Sequence, residues 1–266
     1  MIKQNKISII VTTFNKVKFI KKTLSSCLTQ NYKNFEIIVV DTGSTDKTRD
    51  VIQKFKNKRL KKIFIKRKFN SSPLNQIYAI KKALKFAKGK IVCLLDGDDI
   101  FMRNKLKEVN NFFQKNDNIF FLQDIVKIKK KNKFLNFEIE RNFVFFKIWP
   151  KFYPTSSFSI KKKSLSKFFK ENRARYDFLE IDLKLFFYSK FKENNHFILN
   201  KILTIYVQDK HGISSKFKKF NFIWFSKRLQ AHEYLMNLRK KEYYPFYFDY
   251  FLTSLFMKIF KLLRIN

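Results

Sequence analysis

Asp96-Gly97-Asp98-Asp99 places three carboxylates within four positions of a chain that carries 21 acids against 58 lysines and arginines. The apolar run Ile91-Val92-Cys93-Leu94-Leu95 leads directly into it, so the cluster falls at the end of a strand. Carboxylates this close repel one another unless a cation sits among them, and hard oxygen ligands suit Mg²⁺ or Mn²⁺. Such ions, held by one or two carboxylates, complete their shell with substrate phosphates, so the cluster points to a phosphate-bearing substrate. Two more polar stretches end apolar runs, Thr12-Thr13-Phe14-Asn15 and Asp41-Thr42-Gly43-Ser44-Thr45-Asp46. The chain has only four glycines, and Gly43 and Gly97 fall in these stretches, where the backbone must turn sharply or approach a ligand.

The elements that position these groups alternate. Residues 7–13, 35–41, 63–65 and 91–95 are apolar runs of strand length, and helical spacing separates them at Val17, Ile20, Leu24 and Leu28, at Val51, Ile52 and Phe55, and at Leu74, Ile77, Ile80, Leu84 and Ala87. Thr45-Asp46 is placed to cap the second helix, and Gly89 to close the third. Apolar strands alternating with helices predict a parallel sheet covered on both faces, with ligands beyond the carboxyl ends of its strands. The three polar stretches then share one rim. Downstream the spacing predicts a helix over 102–116, strands over 119–128 and 134–148 around a turn at 129–133, a helix over 178–188, a strand over 198–207 and helices over 221–243 and 250–263.

Taken in order, these pieces resemble a family 2 glycosyltransferase of the GT-A fold over residues 6–215. The resemblance rests on Ile9-Ile10-Val11-Thr12-Thr13-Phe14-Asn15, on Ile37-Ile38-Val39-Val40-Asp41-Thr42-Gly43-Ser44-Thr45-Asp46, and on Ala87-Lys88-Gly89-Lys90 followed by the fourth strand and Asp96-Gly97-Asp98-Asp99. It implies an α/β fold, a Rossmann-like mostly parallel sheet flanked by helices, with a nucleotide-binding half at 1–100, an acceptor-binding half at 101–215 and a helical, aromatic-rich extension at 216–266. It further implies transfer of a sugar, with inversion, from a nucleotide-diphosphate-sugar to an acceptor hydroxyl on a glycan or lipid-linked saccharide. Thr12, Thr13, Phe14, Asn15, Asp41, Gly43, Asn75, Gln76, Asp96, Gly97 and Asp98 would bind the donor. Asp98, Asp99 and Asp96 would hold Mn²⁺ or Mg²⁺. The acceptor base would come from Asp177-Phe178-Leu179-Glu180-Ile181-Asp182-Leu183, where alignment on the leucine selects Glu180 and a one-step slip selects Asp182. Lys210 or His211 would reach the diphosphate from a loop. Two departures stand out: Thr42 replaces the family's second aspartate, and Pro73-Leu74-Asn75-Gln76 lacks its arginine.

Bulk properties restrict the alternatives. With 45% apolar residues the chain buries a sizeable core. The net charge of +37 is spread over every segment, which fits compositional bias better than a dedicated polyanion site, so no specific nucleic acid is expected. A basic nucleic-acid-binding protein would leave the carboxylate rim unexplained, whereas a catalytically inactive sugar-nucleotide-binding relative would retain it. Residues 6–20 lack the glycines of a nucleotidyltransferase phosphate loop or a dinucleotide-binding turn. Cys27 and Cys93 are too few for a disulfide framework, and the first residues lack a signal peptide, so a cytoplasmic protein is expected. Tyr250 to Leu263 carries lysines among aromatic and aliphatic residues, which suits either packing on the body or an anionic membrane at its inner face.

Overall fold

The structure, a computed structural model, describes residues 4–131, 133–137, 148, 152–172, 176–208, 220–239 and 244–263. Four parallel strands, β1 (Ile7–Thr13), β2 (Phe35–Thr42), β3 (Leu60–Ile65) and β4 (Ile91–Asp96), lie in the order β3-β2-β1-β4. Alternate side chains leave opposite faces of a strand. Ile9 and Val11 therefore pack with Ile20 and Leu24 of α1 (Ile20–Leu28), whereas Ile10 packs with Ala79, Ile80 and Ala83 of α3 (Ser72–Leu84). Helices on both faces explain the near-continuous apolar runs of β1, β2 and β4, whereas the edge strand β3 carries Lys61 and Lys62. The edge helix α2 (Thr48–Lys54) follows Asp46, whose carboxylate accepts from Thr48 N at 2.9 Å and from Val17 N at 3.2 Å.

The sheet continues in mixed directions. β8 (Phe158–Lys161) pairs antiparallel with β4 and with β6 (Phe121–Lys130), and β6 runs parallel to β9 (His196–Val207) with register shifts around Ile125. The two-residue β5 (Ile100–Phe101) pairs with β9, and β7 (Lys133–Asn136) forms a hairpin with β6. The helices α4 (Lys105–Lys115), α5 (Lys162–Glu171) and α6 (Ile181–Phe187), the last running into a π turn at Tyr188–Lys192, cover this half. Lys105 is fully buried, and its ammonium contacts the Asp124 carboxylate, Ser156 O at 3.2 Å and Thr204 Oγ1 at 3.0 Å. One cation thus ties α4 to β6, β9 and the 3₁₀ turn at Thr155–Ser157.

Several expectations change. The third helix ends at Leu84, and Gly89 does not cap it. Gly89 instead lies against β1, where a Cβ would sit 2.5 Å from Ser8 N and where its N–H donates to Ser8 Oγ at 2.8 Å. The strand expected over 134–148 is the short β7, and residues 138–147 lie outside the described residues. β5, β8 and α5 were not foreseen. The C-terminal extension packs on the body: in α7 (Phe222–Arg239), Ala231, Tyr234, Leu235 and Leu238 join the same core as Phe158 and Leu183. α8 (Tyr247–Leu262) docks on α7 through Met257 against Phe225, and through Asp249, which accepts from Arg228 Nη2 at 2.8 and 2.9 Å and from Ile148 N at 2.6 Å.

Candidate active site

The strand order changes direction between β1 and β4, and in such sheets the crevice at that reversal, beyond the carboxyl ends, receives ligands. The three polar tips meet there. Thr12 is in register with Asp96, and Thr13 with Asp41. Asn15, with φ of 51°, joins the first two tips: its N–H donates to Ser44 Oγ at 2.8 Å and its Oδ1 accepts from Thr45 N at 2.8 Å. Gly97 N donates to Thr12 O at 2.9 Å, and a side chain at Gly97 would begin 2.5 Å from Thr13 Oγ1 and 2.6 Å from Thr13 Cβ. The Thr13 hydroxyl is buried and has no hydrogen-bond partner among the described residues.

Asp41 is fully buried and faces inward. Its carboxylate accepts from Gly43 N and Ser44 N, from the Ser44 hydroxyl, and from Arg49 Nε at 2.6 Å. These bonds close the turn in which Gly43 adopts φ of 82°, a left-handed conformation that glycine tolerates best. Thr42, in place of the family's second aspartate, is buried and donates to Thr13 O at 3.1 Å. Phe14 lies under the guanidinium of Arg67, 4.3 Å from ring centre to Cζ, just beyond β3.

The carboxylates diverge. Asp96 accepts from Gln76 Nε2 at 2.6 Å and Thr12 Oγ1 at 3.2 Å. Asp98 pairs with Lys16 Nζ at 2.5 Å. Asp99 is fully buried and turned into the protein, where Ser156 Oγ donates to it at 2.5 Å and Val207 N at 2.8 Å. Among the described residues no three acidic, histidine or cysteine side chains converge as a metal cage. Asp99 is committed to fixing the Thr155–Ser157 turn and the end of β9. Asp98 and Asp96 remain as hard oxygen donors on the rim, and one or two carboxylates fit a divalent ion whose other ligands are substrate phosphates. Burial, then the charges of Asp98 and Asp182, pushes the Asp96 carboxyl up to about 7.

Of the two departures on α3, Gln76 reaches the rim and Asn75 does not. Asn75 is buried, accepts from Lys68 N at 2.9 Å and donates to Phe69 O at 2.6 Å, so it staples the approach to the helix. Glu180 and Asp182, the two candidate bases, stand at the start of α6. Glu180 is held by Lys227 of α7 at 2.5 Å. Asp182 lies in the first turn, its Oδ1 accepting from Leu183 N at 2.8 Å, and burial followed by the Glu180 charge pushes its carboxyl up to about 7. Asp182 is the acid whose field reaches Asp96. Lys210 and His211 lie outside the described residues.

Sequence reasoning missed Arg67, Lys16, Lys227 and Ser156. Arg67 had a usable signal, because it follows the third strand on the same carboxyl edge. The others are reached only through the folded chain.

The fold is that of the GT-A glycosyltransferases. It matches TarS 1-349 of S. aureus in complex with UDP-GlcNAc with a TM-score of 0.63 and 20% identity, over 96% of this chain and 71% of that one. It matches the mannosyltransferase PcManGT of Pyrobaculum calidifontis, in complex with GDP-Man and Mn²⁺, with a TM-score of 0.60 and 14% identity, over 96% of this chain and 70% of that one. The family model described as Glycosyl transferase family 2 matches residues 8–179, and the chain belongs to that family. Among curated relatives, the UDP-Glc:alpha-D-GlcNAc-diphosphoundecaprenol beta-1,3-glucosyltransferase WfaP of Escherichia coli is 35% identical over 138 residues, which cover 52% of this chain and 48% of that protein. WfgD of Escherichia coli, with the same described activity, is 34% identical over 126 residues, 47% of each chain. The chain spans about half the length of these two relatives.

Proposed function

We propose that the protein transfers a sugar, with inversion, from a nucleotide-diphosphate-sugar to a hydroxyl of a lipid-linked saccharide. The observation that carries this reading is the gathering of the Thr12–Asn15, Asp41 and Asp96 tips on one rim beyond β1, β2 and β4, with Asp182 at the start of α6 near enough for its charge to raise the Asp96 carboxyl. A crevice with a phosphate-directed rim on one side and a separate raised-pKa acid on the other has the two functions that displacement at an anomeric carbon needs.

The Thr13, Phe14 and Arg67 end of the rim receives the nucleoside, and the Asp96 and Asp98 end faces the diphosphate. A divalent ion held by Asp98 and Asp96 together with the donor phosphates would supply charge neutralisation for the leaving diphosphate. The ionised Asp182 accepts the proton of the acceptor hydroxyl. The acceptor oxygen bonds to the anomeric carbon from the face opposite the diphosphate, the bond from that carbon to the phosphate oxygen breaks, and the nucleoside diphosphate departs with the electron pair. Glu180, neutralised by Lys227, positions the start of α6. The lipid-linked acceptor follows the described activity of WfaP, a relative that shares half of this chain.

The test is calorimetric titration of UDP and GDP with and without Mn²⁺, on the wild type and on Asp98→Ala. Metal-dependent binding of one nucleotide, lost in the variant, supports the reading. Absence of nucleotide binding together with tight, salt-sensitive RNA binding would overturn it.

A further inference from the structure

A helix packed on a domain normally buries an apolar stripe and turns polar residues to water. α8 buries Asp249, Thr253 and Met257 against α7, yet its opposite face is apolar as well. Phe251, Leu255, Ile259 and Leu262 follow one another at spacings of four, four and three residues, so they line one side of the helix, and they are 61%, 42%, 40% and 81% exposed. Lys258 and Lys261, both exposed, flank this stripe. A contiguous apolar surface of this kind marks an interaction site.

Charge selects the occupant. A second copy would bring another net charge of +37 against the same face, and the two would repel. An anionic bilayer would attract it, and lysines beside an apolar stripe suit a helix that lies in the plane of the headgroups. No helix among the described residues is long and apolar enough to cross a membrane, so the helix lies on the surface rather than spanning it.

We propose that the outward face of α8 docks the protein on an anionic phospholipid bilayer. Docking there would hold the protein at the surface in which a lipid-linked acceptor is anchored. This use rests on the function proposed above, whereas the docking itself does not.

Flotation of the full chain with phosphatidylcholine vesicles, with and without about one third phosphatidylglycerol, tests it. The wild type is expected to float only with the anionic vesicles. Phe251→Glu with Leu255→Glu is expected to weaken partitioning by about a hundredfold or more, roughly tenfold for each buried apolar side chain. Lys258→Ala with Lys261→Ala is expected to weaken it several-fold and to reduce its sensitivity to salt. A folded wild type that does not float, glutamate and lysine variants that float like the wild type, or a dimer in solution that the glutamates dissolve would overturn the proposal. Nucleotide titration on the same preparations separates the two readings: flotation without nucleotide binding upholds the docking surface and removes the transferase reading.

Discussion

Gln76, on α3, donates its amide to Asp96 Oδ1 at 2.6 Å, so a helix from behind the sheet fixes a carboxylate on the rim of β4. The stretch that supplies Gln76 carries an arginine in the family that the sequence resembles. An amide orients Asp96 without adding charge, and the carboxylate stays available to a cation. Gln76→Ala is expected to leave the fold intact and to weaken metal-dependent nucleotide binding by about tenfold, in line with the loss of one hydrogen bond to a charged group. Calorimetry with Mn²⁺ present reads this directly.

The Asp182 carboxyl, raised to about 7, sets a pH dependence. A general base works in its ionised form. As pH falls through about 7 that form is lost, tenfold per unit at the limit, and above it the rate levels off. The expected profile of kcat/KM rises with unit slope to a plateau. Asp182→Asn should lower kcat by about 10² to 10⁴ and remove the slope, whereas Glu180→Gln, which removes one partner of Lys227, should leave the slope in place.

Lys16 pairs with Asp98 at 2.5 Å, where a metal ligand would otherwise face the donor. Cation binding at Asp98 must displace this ammonium or draw it onto the phosphates. Lys16→Met is accordingly expected to raise affinity for Mn²⁺ alone by a few-fold, through loss of a nearby like charge, and to lower affinity for the nucleotide and metal together. Paramagnetic resonance titration of Mn²⁺, with and without nucleotide, distinguishes the two effects.

Lys105 and Asp124 form a buried ion pair. Removing one partner of such a pair leaves an uncompensated charge and costs about 3–5 kcal/mol, so Lys105→Ala should lower the urea midpoint sharply. The double replacement Lys105→Met with Asp124→Leu should recover much of the loss, because apolar residues of similar size can replace a buried pair.

The parallel half was legible because β1, β2 and β4 are near-continuous apolar runs with polar tips, a contrast that survives even a lysine-rich composition. Asp96, Asp98, Thr12, Thr13 and Asn15 do gather on one rim. β8 escaped detection because it is four residues long and exists only through pairing with β4 and β6, partners distant in sequence. The Ser156 hydroxyl and Val207 N–H that hold Asp99 were beyond reach of the sequence, because both come from distant stretches of the chain. Lys16 and Lys227 were invisible for a different reason: among 58 basic residues, no single lysine carries a signal until its partner is known.

Gly97 and Thr13 compete for one volume. The atom that a side chain at position 97 would meet at 2.6 Å is Thr13 Cβ, which no rotamer change can move aside. Mutational tolerance at the two positions is therefore linked: in a library randomised at both, substitutions of Gly97 should survive only beside glycine at position 13. Change at the rim therefore has an order: position 13 can shrink alone, whereas position 97 can change only after it has.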